Sequence, residues 1–383
     1  MKIAQIIGTF PPHHGGMGYI CFHNTLQLAK KGHEITVFTL DYGINYHELP
    51  EQPFQIVRMK TRLMYGDAGM VPQLFNKLDD FQIIHLHYPF FGAAEYVYLA
   101  HLIKKKNYFL TYHMDVFGDT LPKRLVIAAY EPLLLKRIIK GAGGICSPGN
   151  DYLKSTKAGS FIPWEKITPV GYGGVDVERY RPREKNEQLI KKHGIEHKKV
   201  ALFVGNLIPF KGLHILLDAI AEIDDKNLVL LVVGGGYSEN EYKKQVRDLG
   251  IADRIIFAGP QFPDRMLPAY YNICDFLVLP STHSESFGLV VIEAMASGKP
   301  VIVSALPGPS QLVNHGVDGL ITKIGSRTDL KEKLLILAGD HSLCEKMGER
   351  ARQKVVEKYT WETIGDQLEH AYEKVLNSSL VNS

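Results

Sequence analysis

KVALFVGNLIPFKG, residues 199–212, is the stretch on which the architecture turns. It opens as an apolar run rich in β-branched and aromatic side chains, halts at Gly205, and closes on Lys211-Gly212 just before a segment of helical periodicity. The same strand-then-helix alternation has already run once upstream. KIAQII at 2–7 leads into a helix through QLAKKG, and EITVFTL (34–40), FQIIHLH (81–87), NYFLTYH (107–113), GGICS (143–147) and KITPV (166–170) follow. Downstream of 199 the alternation continues with NLVLLVVGG (227–235), RIIFAG (254–259), DFLVLP (275–280) and PVIVS (300–304). Strands that are apolar throughout, each followed by a helix, specify a parallel sheet covered on both faces. The restart at 199 makes two such sheets, an α/β chain of two doubly wound domains.

The length agrees, because 383 residues exceed what one hydrophobic core usually serves. Between the two series, GYGGVDVERYRPREKNEQ (171–188) shifts to glycine, proline and charge, the composition of an exposed connector, which puts the hinge near 175–195. TWETIGDQLEHAYEKVL (360–376) reads as an amphipathic terminal helix and NSSLVNS as a frayed tail. A net charge of +3, from 44 basic and 41 acidic residues, is too balanced to imply a nucleic-acid partner, so an anionic ligand must be met by local chemistry. Cysteines at 21, 146, 274 and 344 have no metal-ligand spacing and suit free thiols in a reducing, cytoplasmic setting. MKIAQIIGTFPP lacks the length and flanks of a signal peptide, and LVLLVV at 228–233 stops at three glycines, far short of a membrane span.

In open α/β sheets, ligands lie beyond the carboxyl ends of the strands, and the candidate motifs fall there. After DFLVLP comes STHSESFGLVVIE, in which a helix begins near Gly288. A helix start presents unpaired N–H groups and a positive dipole end, which favour phosphate. Glu285 precedes the helix, and Glu293 lies about one and a half turns inside it among apolar neighbours, where a carboxylate needs a hydrogen-bond donor such as a sugar or ribose hydroxyl. An N-terminal helix acid and an internally paired carboxylate compete with that reading. Lys211, at another helix start, adds a full charge suited to a diphosphate, although a solvated surface lysine has the same pattern. Gly15-Gly16-Met17-Gly18, preceded by Pro11, Pro12, His13 and His14, lets a backbone approach a ligand, but its spacing is not that of dinucleotide binders. His85 and His87, two apart on a strand, share a face, and His113 stands in TYHMD with Asp115. No third metal ligand can be named, so no metal site is expected.

Taken together the motifs resemble the retaining glycosyltransferases of the two-domain GT-B fold, group 1 or family 4. The resemblance spans the chain. It is most specific in the E-x7-E element, Glu285 to Glu293, within LPSTHSESFGLVVIEAMASGKPVIVS (279–304), and it extends to GTFPPHHGGMG, IIHLH, TYHMD, GGVDVERYRP, FVGNLIPFKG and GPSQLVNHGVDGLI in the family's order. It implies two Rossmann-like domains facing across a cleft. These are an acceptor-side domain at 1–178, a nucleotide-sugar-binding domain at 179–359, and a terminal helix at 360–378 that packs back on the first. Glu293 would hold ribose hydroxyls, Glu285 would face the donor sugar, and the Phe287-Gly288-Leu289 backbone would lie near sugar and phosphates. Lys211 would neutralise the diphosphate, Gly15 and Gly16 would lie under the phosphates, Gln261 and Phe262 would contact the base, and His113 would touch the donor sugar. His13, His85, His87 and Asp115 become acceptor-side candidates. Asn206 stands where the family usually has arginine, and Gly173 where it usually has asparagine before GVD.

The implied activity is metal-independent transfer of a hexose, with retention, from a nucleotide diphosphate sugar of the GDP-mannose, UDP-glucose or UDP-N-acetylglucosamine type to a glycan or lipid-linked acceptor, as in polysaccharide biosynthesis. No cofactor is implied beyond the donor as co-substrate. No second carboxylate can be placed opposite Glu285 as two-carboxylate hydrolysis would require. A nucleotide-sugar epimerase of the same fold and an inactive nucleotide-sugar-binding protein remain as alternatives. Lys123-Arg124-Leu125-Val126-Ile127 through Leu133-Leu134-Leu135-Lys136-Arg137, with Lys104, Lys105 and Lys106 upstream, reads either as a peripheral contact with the anionic inner membrane face or as a buried helix with charged ends.

Overall fold

The structure, a computed structural model, describes every residue except 14, 44–50, 62, 67, 119, 262–265 and 382–383. The chain divides into two compact units: Met1–Gly174 together with Trp361–Ser383, and Val175–Thr360. The divisions fall at 174/175 and 360/361, beside the 178/179 and 359/360 expected from the sequence.

The strands of the first unit are β1 (Lys2–Ile6), β2 (Glu34–Leu40), β3 (Gln55–Met59), β4 (Met64–Tyr65), β5 (Ala68–Gly69), β6 (Ile83–Tyr88), β7 (Tyr108–Tyr112) and β8 (Gly144–Cys146). Among the described residues β4 and β5 pair only with each other, and the other six form one parallel sheet in the order β3-β2-β1-β6-β7-β8. All of β6 and β7 is buried, as expected of strands covered on both faces. KITPV is not a strand. Ile167 makes a single bridge to Ile145, and Pro169 has no N–H to extend a ladder. The edge strand β3 is half-buried and too mixed in polarity to stand out in the sequence.

The second unit repeats the plan with β9 (Lys199–Val204), β10 (Leu228–Val233), β11 (Ile255–Gly259), β12 (Phe276–Leu279), β13 (Val301–Ser304) and β14 (Gly319–Thr322), ordered β11-β10-β9-β12-β13-β14. In both sheets the earliest strand is central and the order reverses beside it, between β1 and β6 and between β9 and β12. Chains leaving the two strands at such a reversal diverge to opposite faces and leave a crevice. GYGGVDVERYRPREKNEQ is not a free connector. Val175 and Tyr180 are buried, Val175 N donates to the Tyr359 carbonyl, and Arg183 N donates to Asn272 Oδ1 at 2.7 Å.

The terminal helix runs from Trp361 to Val381, so most of the segment expected to fray continues it. Ile364, Leu368, Ala371, Tyr372 and Val375 are buried along one stripe at helical spacing, and the last four join Ile3, Cys21, Leu28 and Phe109 in one cluster of the first unit. Lys31 reaches Asp366 at 2.6 Å and Glu369 at 2.9 Å, and His33 reaches Glu369 at 2.7 Å. Replacing Leu368 with alanine leaves a cavity in this cluster and should cost about 2–5 kcal/mol. Lost hydrogen-exchange protection in β7 and β8, with β9 and β10 unaffected, is the expected readout.

Candidate active site

In the second unit the chain leaving β9 passes Gly205 and Asn206, makes a single 3-10 turn at Pro209–Lys211, and enters the helix Leu213–Ala221 through Gly212. Gly212 sits at φ 74°, and a Cβ there would lie 2.0 Å from the Pro280 carbonyl oxygen. Only glycine lets this turn pass so close to the end of β12. Thr282 N completes the stitch by donating to the Phe210 carbonyl at 2.7 Å. Two residues far apart in sequence are thereby brought together. Lys211 Nζ donates to Glu285 Oε2 at 2.5 Å, and Ser281 Oγ donates to the same oxygen at 3.2 Å. Both charged side chains are mostly covered, with 18% of Lys211 and 11% of Glu285 exposed.

The helix Leu289–Ala296 begins just beyond this pair, its N-cap Gly288 at φ 91°. Its first turn holds no acidic residue and no side chain caps it, the condition in which a helix start favours an anion. Glu293 is buried inside it, and Tyr271 Oη donates to Glu293 Oε2 at 2.7 Å. Burial, and then the carboxylate itself, push the Tyr271 phenol up, so it remains a donor. Phe287 and Gly288 are buried and Leu289 half-buried at the same helix start, while Asn206 is exposed at the end of β9. Lys211 and Glu285 thus meet at strand ends on the β9/β12 reversal, beside the helix that carries Glu293. Ser281 and Tyr271 give no warning of these roles in the sequence, since neither stands in a pattern that signals its partner. Gln261 lies just past β11, its Nε2 donating to the Ala258 carbonyl at 3.3 Å, and Phe262 and His14 lie outside the described residues.

In the first unit the histidines form a buried polar chain. His113 Nδ1 meets Tyr172 Oη at 2.5 Å and His113 Nε2 meets His87 Nδ1 at 2.9 Å; His87 Nε2 meets Gln5 Oε1 at 2.9 Å. Gln5 Nε2 donates to Tyr372 Oη at 3.2 Å, and His85 joins Tyr372 Oη at 2.5 Å to Thr111 Oγ1 at 2.7 Å. The Gln5 amide sets the direction. Its oxygen must receive a proton from His87 Nε2, which leaves His87 Nδ1 to accept from His113 and His113 Nδ1 to accept from Tyr172. Its nitrogen donates to Tyr372 Oη, which also meets His85, and His85 meets Thr111 through its other nitrogen. Each ring carries one proton and is neutral. Burial is the main cause that holds all three below the usual histidine range, His87 down to about 3.

This arrangement limits what the sequence candidates of the first unit can do. His85 and His87 are core residues with both ring nitrogens engaged, so neither imidazole faces an acceptor. His113 is equally buried, its ring nitrogens hydrogen-bonded to Tyr172 and His87. Asp115 accepts from Tyr112 Oη at 2.5 Å and from Lys157 N at 3.0 Å, which makes it a brace for its own loop. Gly15 and Gly16 are exposed at the start of the helix Gly16–Lys30, which also lacks a first-turn acid or a capping side chain. His13 packs against the Tyr42 ring with centroids 4.5 Å apart. Among the described residues no group of three His, Cys, Asp or Glu is placed to hold a metal ion.

Residues 14–179 match the Glycosyltransferase Family 4 model and residues 185–354 the Glycosyl transferases group 1 model. A D-inositol 3-phosphate glycosyltransferase of Corynebacterium glutamicum (strain R) is 34% identical over 405 residues, covering 96% of this chain and 94% of that protein. The chain belongs to the group 1 and family 4 glycosyltransferases. An N-acetyl-alpha-D-glucosaminyl L-malate synthase of Bacillus anthracis is 27% identical to this glycosyltransferase over 381 residues, covering 95% of each chain. Among solved structures, Anabaena Alr3699/HepE in complex with UDP superposes with a TM-score of 0.80 at 21% identity, covering 97% of this chain and 100% of that one. The fold of this glycosyltransferase is accordingly GT-B.

Acid should destabilise the first unit through the histidine chain. Unfolded, the three imidazoles titrate near 6.5; folded, they stay neutral to far lower pH. Below 6.5 the unfolded chain therefore binds protons that the folded chain refuses, so this contribution is complete above that pH and declines as pH falls. The loss is up to about 1.4 kcal/mol per histidine per pH unit. Thermal unfolding between pH 7.5 and pH 5.5, roughly one unit either side of that value, should show a marked fall in midpoint that His87→Gln reduces.

Proposed function

We propose that the enzyme transfers a hexose from a nucleotide diphosphate sugar to a glycan or lipid-linked acceptor, with retention of configuration and with Lys211 in place of a metal at the diphosphate. The observation that carries this reading is the Lys211–Glu285 pair beside the helix start at Gly288. A ligand with a diphosphate at one end and hydroxyls at the other satisfies both partners at once: the anion takes the ammonium and the helix N–H groups, and a sugar hydroxyl donates to the carboxylate. Glu293, inside the same helix, receives ribose hydroxyls, and Phe287, Gly288 and Leu289 offer backbone near the phosphates. In the first unit, Gly15 and Gly16 offer a second uncapped helix start suited to phosphate. Gln261 and Phe262 serve the base, and His113 acts through its fixed position and backbone.

Anabaena Alr3699/HepE has been solved with UDP, with UDP and glucose, and with UDP-glucose, which favours a UDP-sugar over GDP-mannose here. The names of the curated relatives contain D-inositol 3-phosphate and L-malate, so small hydroxylated anions belong among the acceptors to be tried. Glu285 is held by an ammonium and a hydroxyl, which blunts it as a nucleophile and supports departure of the diphosphate with the acceptor's proton passing to it on the same face. Charge on the leaving group is then the main thing to stabilise.

Lys211→Ala should lower kcat by about 100- to 1000-fold, the scale of losing one preorganised charge partner. Turnover of UDP-glucose with a panel of acceptors, and the anomeric configuration of the product, test the reading. An inverted product or an unimpaired variant overturns it. Asn206→Arg restores the family's usual cation at an exposed position in the same loop as Lys211 and should tighten binding of the nucleoside diphosphate by roughly tenfold, measured by calorimetry.

A further inference from the structure

The helix Leu121–Tyr130 buries none of its residues. A helix on a protein surface normally turns its apolar stripe inward and its charges outward. Here the outward side is apolar as well: Leu121, Leu125 and Val126 are 70%, 64% and 68% exposed, with Leu133 exposed beyond them. The inward contacts are made by other residues. Tyr130 packs on Phe91 with ring centroids 4.8 Å apart, and Leu135, Ile138 and Ile139 are buried. The outward aliphatic side chains are therefore not needed to hold the segment in place.

Charge marks what they meet. Residues 121–140 hold five basic side chains, Lys123, Arg124, Lys136, Arg137 and Lys140, against the single acid Glu131, in a chain whose whole net charge is +3. Glu131 is itself paired with Lys157 at 2.8 Å. Lys104 and Lys106, grouped with this segment in the sequence, are engaged elsewhere. Lys104 pairs with Asp79 at 2.7 Å, and Lys106 donates to the carbonyls of Asp79 and Phe81. Two copies of the chain meeting through this segment would set five basic side chains against five, which disfavours a dimer. No described helix is long and apolar enough to cross a membrane.

We propose that the segment 121–140 seats the enzyme on the surface of an anionic phospholipid bilayer, with Leu121, Leu125, Val126 and Leu133 entering the interface and Arg124, Lys136, Arg137 and Lys140 meeting the headgroups. The contact is interfacial and independent of how the donor site works. It brings the first unit to acceptors carried in the membrane.

The test is co-sedimentation of the full chain with phosphatidylcholine vesicles made with and without phosphatidylglycerol, at low and high salt. Binding should require the anionic lipid, weaken with salt, and fall by about tenfold or more in both Leu125→Ser/Val126→Ser and Lys136→Glu/Arg137→Glu. All four positions are exposed, so the melting temperature should stay unchanged in each variant. Failure to sediment at low salt, binding that neither variant weakens, or a dimer by light scattering that Leu125→Ser/Val126→Ser dissolves overturns the proposal.

Discussion

A carboxylate and an ammonium, both largely covered, hold each other at the strand reversal of the second unit, and the chemistry available there follows from that contact. Lys211 and Glu285 come from the loops after β9 and β12, neighbours in the sheet though 74 residues apart in sequence. Their approach depends on Gly212, which passes under the Pro280 carbonyl where any side chain would collide. Separating such a pair without replacement strands a charge away from water. An anion that took the lysine alone would leave the carboxylate unanswered.

The first unit uses its buried polar groups differently. Seven side chains, Thr111, His85, Tyr372, Gln5, His87, His113 and Tyr172, are joined in one hydrogen-bonded series. The three imidazoles in that series keep no ring nitrogen for a ligand. Its effect is to fix the C-terminal ends of β6 and β7, and the loop from His113 to Asp115 that leaves β7 is braced again by Tyr112 and the Lys157 amide. Rigid strand ends are what a loop that selects a substrate needs beneath it.

The two sheets are legible in the sequence because central parallel strands are apolar along their whole length, as VALFV and LVLLVV are. Two outer strands are not. β3 lies at a half-covered edge that tolerates Arg58, and β14 is only four residues long and opens on Gly319. KITPV has the composition of a strand, and its proline decides otherwise. Lys211, Glu285 and Glu293 stand out by their positions at helix starts. The fate of His85, His87 and His113 does not, because alternation shows which side of a strand a residue faces but not whether that side meets solvent or Tyr372, which lies hundreds of residues away. Long-range polar partners leave no local trace.

That distance has a consequence for how the protein is made. The first unit is discontinuous, closed by the helix Trp361–Val381, and Tyr372 supplies the hydroxyl joining Gln5 to His85. During synthesis the opening half of the chain emerges with these groups facing a gap, and the whole of Val175–Thr360 must be translated before the residue that fills it appears. The second unit, contiguous in sequence, has all of its residues joined before Tyr372 is added. The unit that begins first is completed last.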